Sequence, residues 1–388
     1  MYSHHSSLSQ LITQYCPNGV EFLEIWKIAE VWTGSSNWNE AIESGQYPFF
    51  VRSKNIKFLD TFEFDEEAII IPGEGGIWDI FHYINWKYAL HQRAYRIHFL
   101  DERINTRFAY FYLFANFKAF IMMHAVSATV SSIRKPMIEK FQIPIPPFPV
   151  QEEIVRILDT FTELEAELEA ELEARAQQYE YYRDSLLSFW DDLSADKAGE
   201  VEWKTLDEIS VNCDNKRKPI TSGNRNSWKY PYYWASWIVD YVDDYIFDGD
   251  FLLISEDGAN LLARNTPIAF SISGKNWVNN HAHVLQFDSY YTRRLVEIYL
   301  NSIDLSKYIS GAAQPKLNKQ NLNKIPIPIP YKNWEPDLEK QQEIVAILDK
   351  FDALVNDISI GLPAELQARR QQYEYYRERL LTFRPLAA

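Results

Sequence analysis

The chain has 388 residues, of which 46% are hydrophobic and 24% are charged, proportions that are ordinary for a soluble globular protein. A chain of this length can form two or three domains. Its two cysteines, Cys16 and Cys213, have no metal-ligand spacing, which excludes a cysteine metal site and favours a reduced, cytoplasmic setting. The first twenty residues lack the basic start and apolar centre of a signal peptide, so none is expected.

The formal net charge of −15 would normally argue against nucleic-acid binding. Most of the acid, however, lies in one predicted helix, since residues 150–190 hold 3 basic and 11 acidic side chains. The first block, 1–149, holds 13 and 15, and the second block, 191–333, holds 16 and 18, so each has a net charge of −2. Either block could present a basic face to DNA, and charge alone does not exclude a DNA-binding protein.

The first block has the pattern of an α+β domain. Apolar runs between turn residues predict strands at 68–76 and 95–100, followed by a helix at roughly 104–124. The stretch 108–126 is apolar enough to suggest a membrane span. It contains Lys118, however, and a central lysine costs roughly 2.5–3.5 kcal/mol in a bilayer, so we predict a buried helix and no membrane partner.

An Ile-Pro run at 143–149 separates the first block from the long helix. Apolar residues recur every three or four positions along this helix, which is the spacing of a coiled-coil stripe. The second block repeats the order, with strands predicted at 250–260 and 283–287 and a helix at 290–303. A second Ile-Pro run and a second helical region then follow.

The two halves of the chain are copies of one plan. ARAQQYEYYRDSLLSF at 174–189 recurs as ARRQQYEYYRERLLTF at 368–383, and QEEIVRILDTF recurs as QQEIVAILDKF. A repeat of this length indicates two domain-sized units rather than a solenoid. The predicted fold is α+β: two similar globular domains, each followed by a long helix, with the two helices pairing as an antiparallel coiled coil. The predicted boundaries are 1–149 and 191–333 for the domains and 150–190 and 334–388 for the helices, with a break in the second helix at Gly361 and Pro363.

An apolar seam does not explain the whole helical repeat. Polar and tyrosine residues recur at the same offsets in both copies, and a duplicated surface indicates a duplicated partner. An ordinary helical hairpin with no role beyond stability is the alternative. The candidate partner-binding residues are Arg175, Gln178, Tyr179, Tyr182 and Arg183 in the first copy and Arg369, Gln372, Tyr373, Tyr376 and Arg377 in the second.

Polar loops recur in both blocks as well. Each block has an aromatic-proline segment, YPFF or YPYY, and each ends in a loop rich in the side chains that contact phosphates and base edges. In the first block the candidate DNA-binding residues are Tyr47, Phe49, Arg52, Ser53, Lys54, Asn55, Thr129, Ser131, Ser132, Arg134 and Lys135. In the second block they are Lys216, Arg217, Lys218, Tyr232, Tyr233, Ser236, Asn279, Asn280, His281, Gln314, Lys316, Asn318 and Lys319.

The sequence contains no convincing catalytic motif. PGEGGIWD at 72–79 lacks the Lys-Ser/Thr pair of a phosphate-binding loop and is interpreted as a turn. Glu202 and Lys204 fit the Glu-x-Lys pattern of metal-dependent nucleases, but the first copy lacks the lysine. The Asp/Asn-Pro-Pro-aromatic motif of adenine methylases is also missing. We therefore predict no catalytic residue and no metal site.

This plan resembles the specificity subunit of type I restriction-modification systems. That family has two target-recognition domains, each followed by a similar helical region. The resemblance rests on the paired helical motifs and extends over essentially the whole chain. YPYY, DYVDDYIFDGDFLLISEDGANL and VNNHAHVL in the second block resemble one class of target-recognition domain, and YPFFVRSKNI, IFHYIN and HQRAYRI in the first resemble another.

The resemblance implies a non-catalytic, sequence-specific DNA-binding subunit. Each domain would recognise half of a split, asymmetric target in double-stranded DNA, and two copies of a methylase subunit would dock on the helices. A motor-nuclease restriction subunit would join for cleavage. S-adenosylmethionine, ATP and magnesium would be held by those partners, and no cofactor by this chain. The alternatives are a stand-alone nuclease or methylase with bipartite recognition and a purely structural coiled-coil scaffold.

The chain departs from the family in its tryptophans. Trp38, Trp86, Trp228, Trp234 and Trp237 stand where family members usually have glycine. The chain has 12 Trp against 13 Gly, although glycine normally makes up about 7% of residues. One hypothesis is that a codon read as glycine in some bacterial lineages is translated here as tryptophan; simple divergence is the alternative.

Overall fold

The computed structural model describes residues 2–77, 79–124, 132–187, 201–221, 229–235, 237–263, 266–311 and 314–386. The chain divides into two compact units. The first joins Met1–Ala170 to Ala364–Ala388, and the second is Glu171–Pro363. Each unit therefore contains one globular block with helical segments from both copies of the repeat. None of the helices in the described ranges is long and apolar enough to span a membrane.

The first unit combines a mixed sheet with helices that cover it. Its strands are β1 (Glu21–Glu24), β2 (Ala29–Thr33), β3 (Tyr47–Phe50), β4 (Lys57–Leu59), β5 (Phe64–Pro72), β6 (His82–Leu90), β7 (Ala94–Phe99) and β8 (Gln142–Ile145). Its helices are α1 (Tyr2–Tyr15), α2 (Ile25–Ile28), α3 (Thr106–His124), α4 (Lys135–Glu139), the first part of α5 (Phe148–Leu187) and most of α11 (Leu362–Leu380). One sheet has the order β2-β7-β5-β6-β3-β4, and β1 pairs with β8.

Helix α3 supplies much of the core of the first unit. Phe108 and Phe117 are fully buried and belong to the same hydrophobic cluster as Ile69 of β5. The prediction of a buried helix at this apolar stretch is therefore confirmed. Leu158 of α5 and Leu380 of α11 join the same cluster, so segments from both copies of the helical repeat stabilise this unit.

The second unit is built from smaller sheets. Its strands are β9 (Val201–Thr205), β10 (Val211–Asn212), β11 (Tyr230–Tyr233), β12 (Ile238–Val242), β13 (Phe247–Asp248), β14 (Phe251–Ser255), β15 (Ala269–Ile272), β16 (Lys275–Val278), β17 (Ala282–Gln286), β18 (Pro326–Lys332) and β19 (Glu335–Pro336). Its helices are α6 (Leu206–Ile209), α7 (Gly258–Ala263), α8 (Tyr290–Ser302), α9 (Lys319–Asn323), α10 (Leu338–Asn356) and the end of α5. The strand orders are β10-β17-β14-β15, β12-β11-β16-β13 and β19-β18-β9.

The core of the second unit follows the same plan. Leu252 of β14 and Leu295 of α8 are buried in one cluster with Ile344 and Leu348 of α10. Leu187, at the end of α5, belongs to this cluster too. The predicted strands and helices of both blocks lie within a few residues of observed elements of the same type, except that the strand predicted at 250–260 ends at Ser255 and α7 begins at Gly258.

The Ile-Pro runs are paired strands rather than free linkers. β8 pairs with β1, and β18 pairs with β9, in each case antiparallel. In β18 the isoleucines Ile327 and Ile329 are buried. Proline has no backbone N–H, so in a strand it is tolerated where the ladder does not need a donor. Each run therefore closes its block by joining the last strand to the first.

The second helical region breaks where the sequence predicts it. α10 ends at Asn356 and α11 begins at Leu362. Gly361 lies at the turn, where a Cβ atom would stand 2.5 Å from the carbonyl oxygen of Ala353. Only glycine fits this close approach, and Pro363 follows in the first turn of the next helix.

The long helices pack against each other within each unit. In the first unit their order is antiparallel: Phe161 of α5 stacks on Tyr376 of α11, with ring centroids 5.4 Å apart, and Glu165, one turn later in α5, pairs with Arg370, earlier in α11. In the second unit the end of α5 contacts α10, where Tyr182 stacks on Phe351 at 5.2 Å. Coiled-coil packing along these pairs stays a prediction.

Candidate nucleic-acid interface

Five polar segments of the first unit lie together. Ser36, after β2, forms a β-bridge with His91, in the turn between β6 and β7. Arg52, after β3, pairs with Glu74, after β5, and Glu74 forms a bridge with Ser132. We call the segments 34–39, 51–55, 73–77, 91–93 and 132–134 the first loop cluster.

Glu74 organises the charges of the first loop cluster. Nη1 of Arg93 donates to Oε1 of Glu74 at 2.7 Å, and Arg52 donates to the same oxygen. The hydrogen bond from Arg93 is the main reason why the pKa of the Glu74 carboxyl lies below its ordinary value. Because 61% of the Arg93 side chain is exposed, the group presents a net positive charge and free N–H donors to solvent.

Separate segments of the second unit also converge. Asp257, after β14, forms a β-bridge with Lys316, and Nδ1 of His281 lies 3.0 Å from Oδ1 of Asp257. The ring of Trp234 stacks on His281, with centroids 4.1 Å apart. We call the segments that meet here the second loop cluster: 214–218, 234–235, 256–258, 279–281 and 314–318.

A buried network supports the second loop cluster from beneath. His283 is 1% exposed, and its ring nitrogens lie 2.7 Å from a carboxylate oxygen of Asp214 and 2.7 Å from the carbonyl oxygen of Leu317. The carbonyl oxygen of Leu317 is an acceptor, so Nε2 of His283 donates to it, while Nδ1 faces the carboxylate of Asp214. Arg217 completes the network, since it donates to Glu256 at 3.1 Å and lies 3.3 Å from Asp214.

The network also holds Asp214 in its ionised form. Burial alone would raise the pKa of this carboxyl, but the hydrogen bond and charge of His283, the charge of Arg217 and the backbone N–H of Val284 outweigh it. The pKa of Asp214 therefore lies below its ordinary value. Ion pairs of this kind fix geometry because removing one partner leaves a buried charge uncompensated.

The structure brings together predicted residues that are far apart in the sequence. The first loop cluster contains Arg52, Ser53, Lys54, Asn55, Ser132 and Arg134. The second contains Lys216, Arg217, Lys218, Asn279, Asn280, His281, Gln314, Lys316 and Asn318. Lys135 and Lys319 begin the adjoining helices α4 and α9. Three predicted residues lie outside the described residues: Thr129, Ser131 and Ser236.

Two aromatic predictions are wrong. Phe49 and Tyr232 are 0% exposed, so neither has surface with which to contact DNA. Phe49 packs against Leu59 in a small core, and the hydroxyl of Tyr232 accepts a hydrogen bond from the backbone N–H of Ile220. The aromatic-proline segments are strands β3 and β11, and period-two alternation turns these side chains inward.

The prediction of direct DNA contact is also wrong for Arg217 and Asn279. The side chain of Arg217 is 14% exposed and is used by the buried network described above. Asn279 is 1% exposed, and its Oδ1 accepts from the backbone N–H of His281 at 2.7 Å. Both are therefore positioning residues of the second loop cluster rather than free contacts for DNA.

Some of the remaining predicted side chains are partly engaged. The rings of Tyr47 and Tyr233 are half-buried and pack on Phe62 and Phe270. Nζ of Lys135 lies 3.8 Å from the centroid of a tryptophan ring. By contrast, Lys54, Asn55, Lys216, Lys218, Asn280, Gln314 and Lys319 are exposed.

Sequence reasoning missed the residues that order these clusters. Arg93 was not predicted, nor were the two acids Glu74 and Asp257. A signal did exist: an acid follows the central apolar strand by two residues in both blocks, and the polar turn HQR at 91–93 interrupts two apolar strands. The pattern has meaning only once the strand register is known.

The duplicated tyrosine motif has an intramolecular role. In the first unit Tyr373 packs against the main core, and Arg377 lies over its ring at 5.4 Å. In the second unit Tyr179 packs against the core, and Arg183 lies over its ring at 5.9 Å. Each copy of the motif thus secures a helix to a globular block, which explains part of the repeat without a partner.

The motif nevertheless leaves an exposed strip in each copy. Tyr181 is 69% exposed and Tyr375 is 52% exposed, and the two occupy the same offset. Arg175 and Arg369 are half-buried and contact Gln178 and Gln372 on their own helices. The sequence prediction named the tyrosines on either side and missed the exposed pair. The sequence alone does not show which residues of each helix face its partner helix and which face solvent.

No group of three His, Cys, Asp or Glu side chains within the described ranges could hold a metal ion. Glu202 and Lys204, the possible nuclease pair, form an ion pair with each other at 2.8 Å on the exposed side of β9. The pairing gives these two residues a structural explanation.

Comparison with known proteins identifies related chains. Residues 17–175 and 199–368 each match the model of the type I restriction modification DNA specificity domain. A putative type I restriction enzyme specificity subunit of Haemophilus influenzae is 42% identical over 189 residues, 48% of this chain and 47% of that protein. The EcoR124I/EcoR124II specificity subunit of Escherichia coli is 35% identical over 270 residues, 63% of each chain. The matches therefore span about half to just under two thirds of these relatives.

A solved structure has the same fold. The crystal structure of the S subunit of a type I restriction-modification system from M. genitalium superposes with a TM-score of 0.65. The match covers 93% of this chain and 95% of that chain at 17% sequence identity.

Proposed function

The chain belongs to the type I restriction modification DNA specificity domain family, and from that premise we propose that it is the DNA-reading specificity subunit of a type I restriction-modification complex. One observation carries the proposal: each unit presents a polar loop cluster at equivalent positions of its chain, and the two clusters differ in their side chains. Because the clusters differ, the two halves of the DNA target should differ, giving a split and asymmetric sequence.

We assign one half of the target to each globular block, 1–149 and 191–333. Arginine, lysine, asparagine and glutamine are the side chains that pair with base edges and phosphates, and both clusters hold them. The exposed lysines Lys54, Lys216 and Lys218 would contact phosphates. The chain itself would carry no catalysis, and adenine methylation or cleavage would be directed through partner subunits in the cytoplasm.

The helical regions 150–190 and 334–388 are assigned to partner binding. Two copies of a methylase subunit would dock on the two helical copies, and a motor-nuclease restriction subunit would complete the complex. S-adenosylmethionine, ATP and magnesium would be bound by those partners. Of the duplicated residues, we place Tyr181 and Tyr375 at the centre of these contacts, because tyrosine is enriched among residues that dominate interface energies.

The experiment is to map methylated adenines in cells that express this chain together with its cognate methylase subunit. The proposal expects methylation at one split, asymmetric motif that disappears when this chain is omitted. Two variants, Arg52→Ala and Lys316→Ala, should each weaken methylation. Circular dichroism checks that each variant remains folded. If the two proteins co-purify and no motif depends on this chain, the proposed function is wrong.

A further inference from the structure

The acid and its nitrogen-bearing partner occupy equivalent positions in the two loop clusters. In the first unit Pro72 of β5 is opposite Ala94 of β7, and in the second Ser255 of β14 is opposite Ala282 of β17. Glu74 and Asp257 each lie two residues after the first member of these pairs. Arg93 and His281 each lie one residue before the second member. The matched pairs are thus Glu74–Arg93 and Asp257–His281.

Backbone hydrogen bonds confirm this equivalence independently of the side chains. Gly73 N–H donates to Arg93 C=O at 2.8 Å, and Glu256 N–H donates to His281 C=O at 2.9 Å. The closing loop adds a second matched bond in each unit: from Ile133 to Gly73 at 2.8 Å in the first, and from the corresponding leucine to Glu256 at 3.0 Å in the second. The two units therefore hold Arg93 and His281 on the same backbone frame.

We propose, on the basis of the proposed function, that Arg93 and His281 each recognise one base of their half-site and that Glu74 and Asp257 position them. Glu74 occupies one edge of the Arg93 guanidinium, which leaves further N–H donors in a fork that fits O6 and N7 of guanine. Asp257 occupies Nδ1 of His281 and leaves Nε2 for a base edge. The two residues differ, so the two half-sites differ at this position.

The chemistry of the site favours a base over a phosphate. Each carboxylate is partly exposed, with 34% of the Glu74 side chain and 32% of the Asp257 side chain accessible. A phosphate placed on Arg93 or His281 would lie close to that negative charge, and like charges repel. A base edge, by contrast, carries both donors and acceptors and can use the carboxylate as well as the Arg93 or His281 side chain.

The test is methylation mapping with variants of the full chain in complex with its methylase subunit. Arg93→Gln should make one base of one half-site degenerate, with discrimination falling about 10- to 100-fold, and leave the other half-site unchanged. His281→Gln should do the same in the other half-site. Glu74→Gln should loosen the same base as Arg93→Gln, to a smaller degree.

A matched control exists for the arginine. Arg103 forms a comparably exposed ion pair with Asp101, at 2.7 Å, outside the loop cluster, so Arg103→Gln should leave the motif unchanged. If Arg93→Gln weakens methylation uniformly over all sequences and lowers the salt dependence by about one unit of slope, Arg93 contacts a phosphate and the inference is overturned. An unchanged motif also overturns it. Failure of the wild-type chain to direct any motif would instead overturn the proposed function.

A second inference concerns the residue at position 334. β18 and β19 are joined by a two-residue turn, Asn333-Trp334, in which both residues have positive φ, 53° and 72°. This is the geometry of a type I′ turn, where Asn-Gly is strongly preferred because a side chain at the second position is strained. Trp334 is 96% exposed, so no burial offsets the strain.

Other tryptophans are also exposed, although less than Trp334. Within the described ranges, six have about half of their surface exposed, although tryptophan is normally a well-buried residue. These are Trp26, Trp32, Trp38, Trp86, Trp203 and Trp237. Trp277 is half-buried, and its Nε1 donates a hydrogen bond to the carbonyl oxygen of Lys218 at 2.7 Å.

We infer that the native cell inserts glycine at position 334, which requires that a codon translated here as tryptophan be read there as glycine. The test is peptide mass spectrometry of the protein purified from its native host. Glycine at 334 with tryptophan at 277 is the expected result. Tryptophan at 334 in the native peptide would overturn the inference.

Discussion

The two loop clusters share a backbone frame and differ in what holds it. In the first unit the charges are at the surface, with Arg52 and Arg93 on Glu74. In the second unit the ion network lies beneath the surface, with His283 between Asp214 and Leu317. A frame that tolerates both kinds of support can exchange its surface residues without losing its shape. This is the property that the proposed recognition of two different half-sites requires.

The largest expected effect is on the free energy of unfolding. It distinguishes the buried network of the second unit from the surface charges of the first. Asp214→Ala should lower the free energy of unfolding of the second unit by about 3–5 kcal/mol, because it removes the carboxylate that the buried His283 and Arg217 side chains contact. Glu74→Ala, the matched change in the first cluster, should leave the denaturation midpoint unchanged, because its arginines return to water. Urea denaturation of both variants gives their denaturation midpoints and free energies of unfolding. Equal losses would contradict the distinction between surface and buried support.

The same pair predicts a pH dependence. The pKa of Asp214 is lowered below its ordinary value of 3.8, so its contribution to stability is complete above that value and is lost as pH falls through the folded-state pKa. The stability difference between the wild type and Asp214→Ala should therefore persist from about pH 7 to 5 and shrink below about pH 4. A difference that shrinks between pH 7 and 5 would contradict the assignment of Asp214 as the ionised partner.

A second comparison concerns how each unit holds its helices. Arg294 of α8 makes 2.6 Å bonds to Asp349 and Asp352 of α10, whereas its counterpart Arg107 of α3 has one carboxylate partner among the described residues, Asp159. Arg294→Ala should cost roughly 3 kcal/mol, since it strands several carboxylates, and Arg107→Ala about 1 kcal/mol. Calorimetry of the two variants compares them. A larger loss for Arg107→Ala would show that packing, not charge, sets the difference.

The exposed tyrosines sharpen the comparison between the two helical copies. Tyr181→Ala and Tyr375→Ala should each weaken methylase binding by about 1–2 kcal/mol, roughly tenfold, without changing the melting temperature. Tyr15→Ala, which removes another exposed tyrosine, is the control and should have no effect. Titration of the purified subunits by calorimetry gives the affinities. Unchanged binding in both variants would place the partner surface elsewhere on the helices.

The smallest expected effect is a gain in stability. Trp334→Gly should stabilise the chain by about 1 kcal/mol, because glycine adopts positive φ without strain. Trp334→Ala keeps the Cβ atom and should give no gain, so the pair isolates the backbone contribution. Thermal unfolding of the wild type and the two variants gives the three stabilities that are compared. A gain of equal size in the alanine variant would assign the effect to the indole ring instead.

Much of the fold could be predicted because its signals are local or duplicated. The breaks at Gly361 and Pro363 and the buried helix α3 follow from residue type and hydrophobic pattern. From the sequence, the Ile-Pro runs only separate each block from its helix, since proline cannot continue a helix backwards. Their pairing with β1 and β9 depends on partners more than 100 residues away, which no local pattern shows.

The candidate interface was predictable only in part. Exposed polar loops were found from composition, so Lys54, Asn280 and Gln314 were placed correctly on the surface. Phe49 and Tyr232 were misjudged because the direction of a strand side chain depends on register. Arg93 and Glu74 were missed for the same reason: their pairing joins two loops whose proximity follows from sheet topology alone.

The most direct test of the central claim is methylation of a randomised DNA library by the purified complex, followed by sequencing of the methylated molecules. Two units with different loop clusters predict two unequal blocks of conserved bases, separated by a spacer of fixed length and no sequence preference. A single contiguous block, or two identical inverted blocks, would contradict the claim that each unit recognises its own half of a split target.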